Sequence, residues 1–185
     1  AIMTTIFCIL LGYPTAYVIA KYFGKGQGKL ILAITLPTWI NMLVRTYAWR
    51  GILQKDGLIN AILGLVGIGP LQMLETNFAV ILGMVYNFLP FMVLQIYSSL
   101  SKMDESYIQA ASDLGANKVQ TFLKVTLPLS IPGIISGVTL VFLPAVSSFF
   151  IPKLLGGGKF VLIGNVIENQ FLTAGNWGFG SAISL

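Results

Sequence analysis

The sequence predicts an all-α fold, a polytopic bundle of helices that cross a lipid bilayer several times. Three observations predict it. Of the 185 residues, 56% are hydrophobic and only 9% are charged, against about a quarter charged in an ordinary soluble domain. Four apolar stretches are long enough to span, at roughly 20 residues of ~1.5 Å rise each. The mean hydropathy, +0.84, belongs to a surface that faces acyl chains. In lipid the backbone must satisfy its own hydrogen bonds, which makes these stretches helices.

The stretches cover residues 2–20, 30–53, 78–100 and 131–151, and a further one starts near Trp177. Together, 1–185 reads as a single transmembrane domain. It opens inside one apolar run and closes inside another, 179–185, so both ends read as truncated. The first run lacks the basic start of a signal peptide and continues beyond signal-peptide length. Each span holds a proline: Pro14, Pro37, Pro90 and Pro144. Membrane helices tolerate proline where neighbours re-satisfy the freed carbonyl, so a static kink and a hinge both remain open readings.

The charges argue for the same class. The net charge is +5, yet no basic stretch interleaved with aromatics offers a stacking platform for nucleic acid. Basic residues at loops and headgroups account for it. Lys21, Lys25, Lys29, Lys102, Lys118 and Lys124 fall on one side of the predicted spans; Arg45, Arg50, Lys55, Lys153 and Lys159 fall on the other. That narrow excess places the first and third loops in the cytoplasm. The lone Cys8 allows no disulfide framework, and there is no histidine at all. With no acidic residue in any span either, a membrane-embedded enzyme lacks the usual equipment for proton or metal chemistry.

The third loop, 101–130, is the most polar part of the chain. Asp104 and Glu105 suit a helix N-terminus, where backbone N–H groups favour negative charge. Ile108, Ala111 and Gly115 recur at helical spacing and form one small-residue face. Gly115 ends this helix, and 117–125 forms a second short one with Val119, Phe122 and Leu123 on one side. Pro128 and Pro132 then delimit the next span. Such a hairpin suits either close docking of a partner or a solvated connector lying on headgroups.

The run Gln109-Ala110-Ala111-Ser112-Asp113-Leu114-Gly115-Ala116, followed by Pro128, resembles the EAA loop of bacterial ABC importer permeases. That family's pattern is Glu-Ala-Ala, then Gly, then Pro farther on. Gln109 stands where the family has Glu, which keeps the length and loses the charge. The resemblance implies a helical bundle of the ABC importer permease (MetI-like) type in the bacterial inner membrane, crossing it several times. It implies that the third loop is the cytoplasmic coupling loop, docked on a dimer of ATP-binding subunits. Further implied partners are a second, homologous permease subunit and an extracytoplasmic binding protein. ATP and Mg then belong to the ATP-binding subunits, and this chain has no cofactor and no catalytic residue.

Further strings, among them Gly156-Gly157-Gly158-Lys159 and Pro37-Thr38-Trp39 with Arg45, are similar to the spermidine/putrescine branch of these permeases. Polyamine is therefore the expected substrate; ferric iron, thiamine or sulfate is the alternative, and a scaffold or channel outside the ABC class a further one. A flexible polycation would be guided by carboxylates and aromatic faces, each cation–π contact contributing ~0.5–2 kcal/mol. Glu168, Tyr86, Trp49, Phe149 and Phe150 are the expected pathway residues.

Overall fold

The computed structural model describes residues 1–65, 67, 69–159 and 161–184, and of Lys25 the backbone alone. Leu185, the last residue of the closing apolar run, and the Lys25 side chain counted with the first-loop lysines lie outside the described residues. Among the described residues all regular structure is helical. Three long helices form the frame: α1 (Ile2–Tyr22), α5 (Asn77–Ser101) and α8 (Leu127–Ser147). Between and after them run α2 (Gln27–Thr35), α3 (Met42–Leu53), α4 (Leu58–Leu65), α6 (Glu105–Asp113), α7 (Lys118–Thr121), α9 (Phe150–Leu155), α10 (Ile163–Leu172) and α11 (Trp177–Ser184).

Helix α5 is the centre. It is capped by Thr76, whose hydroxyl accepts from the Ala79 N–H, and its apolar residues run right around the helix rather than along one stripe. A helix apolar on all sides is one surrounded by neighbouring helices or by lipid. Accordingly Met84, Phe88, Met92, Val93 and Ile96 of α5 are buried, against Cys8, Ala16 and Ile19 of α1 on one side and Val141 and Ala145 of α8 on the other. Glycines let α8 come this close. A Cβ on Gly133 would lie 2.5 Å from the Ser99 Cβ and 2.9 Å from the Gln95 carbonyl oxygen, and one on Gly137 would lie 2.6 Å from the Met92 sulfur. Between membrane helices, where lipid is as apolar as leucine, such close packing replaces the hydrophobic drive.

The stretch 30–53, expected as one span, is broken. Helix α2 continues through a 3₁₀ turn (Leu36–Trp39), and the chain resumes as α3 after a bend of 89°. The break lies at Ile40 and Asn41, beyond Pro37. Ile40 is extended, and the Asn41 side chain caps α3 by accepting from the Leu43 N–H at 2.8 Å. Arg45, nine-tenths buried, spans the bend by donating from Nε to the Ile40 carbonyl at 3.1 Å.

Two further boundaries differ from expectation. The stretch 131–151 begins earlier and stops sooner: α8 ends at Ser147, and Phe150 and Ile151 belong to α9. The second helix of the third loop is not a separate piece. Helix α7 runs through a π-turn (Phe122–Thr126) directly into α8. Pro128 explains the turn, since its ring crowds the carbonyl four residues back and it has no N–H to give. The Leu127 N–H instead reaches the Phe122 carbonyl five residues back, which widens the helix by one residue.

Candidate functional site

The third-loop hairpin is built by strong local signals. Asp104 caps α6 by accepting from the Ser106 N–H at 2.9 Å. That backbone bond holds the Asp104 carboxyl below its ordinary range, so the charged cap is present at neutral pH and is lost only as pH falls through this depressed value. At the other end Gly115 adopts φ +80°. Its N–H donates to the Ser112 carbonyl, and the Ala116 N–H reaches back to Ala111 at 3.0 Å, the six-to-one bond of a glycine-terminated helix. Asn117 and Gln120 then form a reciprocal capping box that starts α7.

The hairpin presents one outer face and one inner face. Gln109, Ala110, Asp113, Leu114, Gly115 and Pro128 are exposed, Leu114 at 89%, while Ala111 and Ala116 are half-buried. Tyr107, Val119 and Leu123 are exposed as well, so the hairpin carries apolar side chains on a surface remote from the core. Phe122 departs from the expected face with Val119 and Leu123 and turns inward to α1. Behind α6 lies a cavity of about 460 Å³, which Gln109 lines together with Tyr17, Lys21, Gln27, Glu105 and Ser101. The ends of α1 and α5, the start of α2 and the hairpin thus share one end of the bundle. Tyr17, Lys21 and Gln27 are among the residues of this site that sequence reasoning left out, because only the fold brings the end of α1 and the first loop beside the third.

At the opposite end the expected pathway residues form pairs. Trp49 of α3 meets Tyr86 of α5 edge to face, with ring centroids 5.4 Å apart, and Phe149 lies on Phe150 at 4.0 Å. Glu168, expected on the pathway, accepts an ion-pair contact from Lys153 at 2.7 Å, and its side chain is only 16% exposed. A second pair joins Lys159 to Glu75 at 2.9 Å; hydrogen bonding to that lysine holds the Glu75 carboxyl below its ordinary range. Glu75 itself adopts φ +61°, with its N–H donated to the Leu155 carbonyl and its side chain against Gly157. The triple-glycine run is therefore the seat of this contact.

Because Lys153 lies on α9 and Glu168 on α10, their bond ties two short helices together. Exchanging the charges, Lys153→Glu with Glu168→Lys, is expected to leave the amount of protein in the membrane within about twofold, whereas Glu168→Lys alone sets two ammonium groups together and lowers it. Quantitative immunoblotting of membranes from the two variants checks this.

Three apolar helices of membrane length, α1 and α8 packed on α5, with a capped amphiphilic hairpin projecting from one end, define a multi-pass membrane protein. The chain belongs to the family described as binding-protein-dependent transport system inner membrane component, whose model matches residues 1–185. It is 46% identical over 185 residues to the spermidine/putrescine transport system permease protein PotB of Haemophilus influenzae, covering 99% of this chain and 65% of that one. It is 44% identical over 187 residues to PotB of Escherichia coli, covering 100% and 68%. The chain thus spans about two thirds of the length of these relatives. Its fold is that of a bacterial ABC transporter involved in the import of the acidic polysaccharide alginate, with a TM-score of 0.78, 17% identity, and coverage of 99% of this chain and 69% of the other. That transporter's structure has also been determined in complex with a periplasmic protein bound to an alginate pentasaccharide.

Proposed function

We propose that the chain is the transmembrane permease part of an ATP-driven importer of polyamines, spermidine and putrescine, delivered by an extracytoplasmic binding protein. The observation that carries this reading is the 44–46% identity, along the whole chain, to permeases named for those substrates. The protein resides in the bacterial inner membrane with the hairpin in the cytoplasm. There Gln109, Ala110, Asp113, Leu114 and Gly115 meet one subunit of an ATP-binding dimer, and a second, homologous permease subunit completes the pathway. ATP and Mg are held by the ATP-binding subunits, and this chain needs no cofactor. The chemistry left to it is mechanical: nucleotide-driven closure displaces the hairpin, and α8, continuous with it, moves.

A polyamine on this route meets faces rather than a cage. The Trp49–Tyr86 and Phe149–Phe150 pairs offer aromatic surfaces worth ~0.5–2 kcal/mol each to an ammonium, enough to guide it and too little to trap it. With Glu168 already paired, the carboxylates along the route come chiefly from the second permease subunit. The test is uptake of radiolabelled spermidine and putrescine by cells lacking the protein, with and without the full-length gene and its partners. Restored uptake that requires ATP and is competed only by polyamines supports the reading. An assembled complex that hydrolyses ATP and imports a different solute overturns the substrate assignment.

A further inference from the structure

The hairpin is attached to the bundle at few points. No residue of α6 is buried, and the 460 Å³ cavity separates it from the ends of α1 and α5. Its link to α5 is the short turn at Lys102–Asp104, where the Met103 N–H donates to the Leu100 carbonyl. Its link to α8 is the π-turn, a widened and more compliant piece of helix. The third link is a side chain. Phe122, the first residue of the π-turn, lies nearly perpendicular to two rings of α1: Tyr13 at 5.9 Å and 83°, and Tyr17 at 5.4 Å and 86°. Both geometries are the T-shaped arrangement in which a ring's positive edge meets a negative face.

A hydrogen bond about two turns further along the helix joins the same two spans. The Tyr13 hydroxyl lies 3.0 Å from the Ser130 hydroxyl, which also donates to the Leu127 carbonyl at 2.8 Å. Ser130 is fully buried, and Thr126 nearly so. Tyr17 is held in turn by Lys21, whose ammonium donates to its hydroxyl at 3.0 Å. Around a compliant turn there is thus a stiff aromatic and hydrogen-bonded clasp, and every member of its far side belongs to α1.

We propose that Phe122, clasped by Tyr13 and Tyr17, transmits displacement of the hairpin into α1, so that α1 and α8 move as one body when the ATP-binding subunits close. The proposal rests on the reading of the hairpin as the coupling element. Phe122 is then a positioning residue: it touches neither nucleotide nor substrate. Without its ring, a displaced hairpin flexes at the π-turn, and α8 and α1 follow only in part.

The test uses the full-length transporter with all its subunits in proteoliposomes, supplied with spermidine-loaded binding protein. The quantity read is spermidine imported per ATP hydrolysed. Phe122→Leu, which keeps most of the volume and loses the ring edges, is expected to lower that ratio about tenfold, the effect of removing two aromatic contacts from a coupled path. Phe122→Tyr, which keeps the edges, is expected to restore it to within about twofold. A leucine variant that assembles and imports with the wild-type ratio overturns the proposal, as does a tyrosine variant no better than leucine. Failure of the polyamine reading shows separately, as wild-type vesicles that import another solute; the same ratio, measured with that solute, still decides the role of Phe122.

Discussion

Gly133→Leu is expected to remove most of the protein from the membrane fraction. The first added atom alone would fall 2.5 Å from the Ser99 Cβ and 2.9 Å from the Gln95 carbonyl oxygen, and the carbonyl belongs to backbone that cannot turn aside. Relief requires α8 to move away from α5, which opens the contact along Met92, Val141 and Gly137 together. Overpacking of a close-fitted contact costs about 1–3 kcal/mol in ordinary cores, and here the whole helix pair must separate, so the upper end or beyond applies. Quantitative immunoblotting of membranes checks it, with Ile135→Leu as a control. Ile135 lies on the exposed side of the same helix, and that variant should accumulate normally.

Gly115→Val is the second large effect, and its cause is different. Nothing lies within 4 Å of a Cβ built on Gly115, so there is no clash; the backbone, at φ +80°, is what a β-branched residue cannot adopt cheaply. The left-handed region costs an L-residue about 1–2 kcal/mol, and more for valine, whereas asparagine tolerates it. The valine variant is expected to insert and assemble with its hairpin end misplaced, and to lose uptake by about tenfold or more. Gly115→Asn should stay close to wild type. Uptake rates normalised to the amount of assembled complex separate the two, and equal rates would remove the turn from the coupling mechanism.

How much of this was legible in the sequence depended on whether the signal was local. Hydrophobic length located α1 and α5 to within two residues at each end, because an apolar run of membrane length leaves no other reading. Asp104 and Gly115 marked the ends of α6 through capping chemistry that acts over a few residues. The break before α3 also had a local signal, Asn41 as a helix cap, but an apolar window that runs across it averages one polar residue away. The π-turn was hidden because the prolines read as stops, whereas a helix can pass a proline by widening. Phe122 was beyond sequence reasoning altogether. Its neighbours Tyr13 and Tyr17 lie more than a hundred residues earlier, and within its own helix it looked equivalent to Val119 and Leu123, which remain exposed. The ion pair of Glu168 was missed for the same reason: α9 and α10 meet only in three dimensions.

In the proposed function the exposed hairpin is where this chain meets the ATP-binding subunits. Leu114, 89% exposed at the hairpin tip beside Gly115, is the side chain that such a contact would cover first. The most direct measurement is therefore labelling of Leu114→Cys in the assembled transporter with a membrane-impermeant maleimide. Native Cys8 is fully buried and should stay silent. The account predicts no labelling in intact spheroplasts, labelling in inside-out vesicles stripped of the ATP-binding subunits, and protection when those subunits are restored. Labelling from the outer face, or labelling that the ATP-binding subunits leave unchanged, would contradict it.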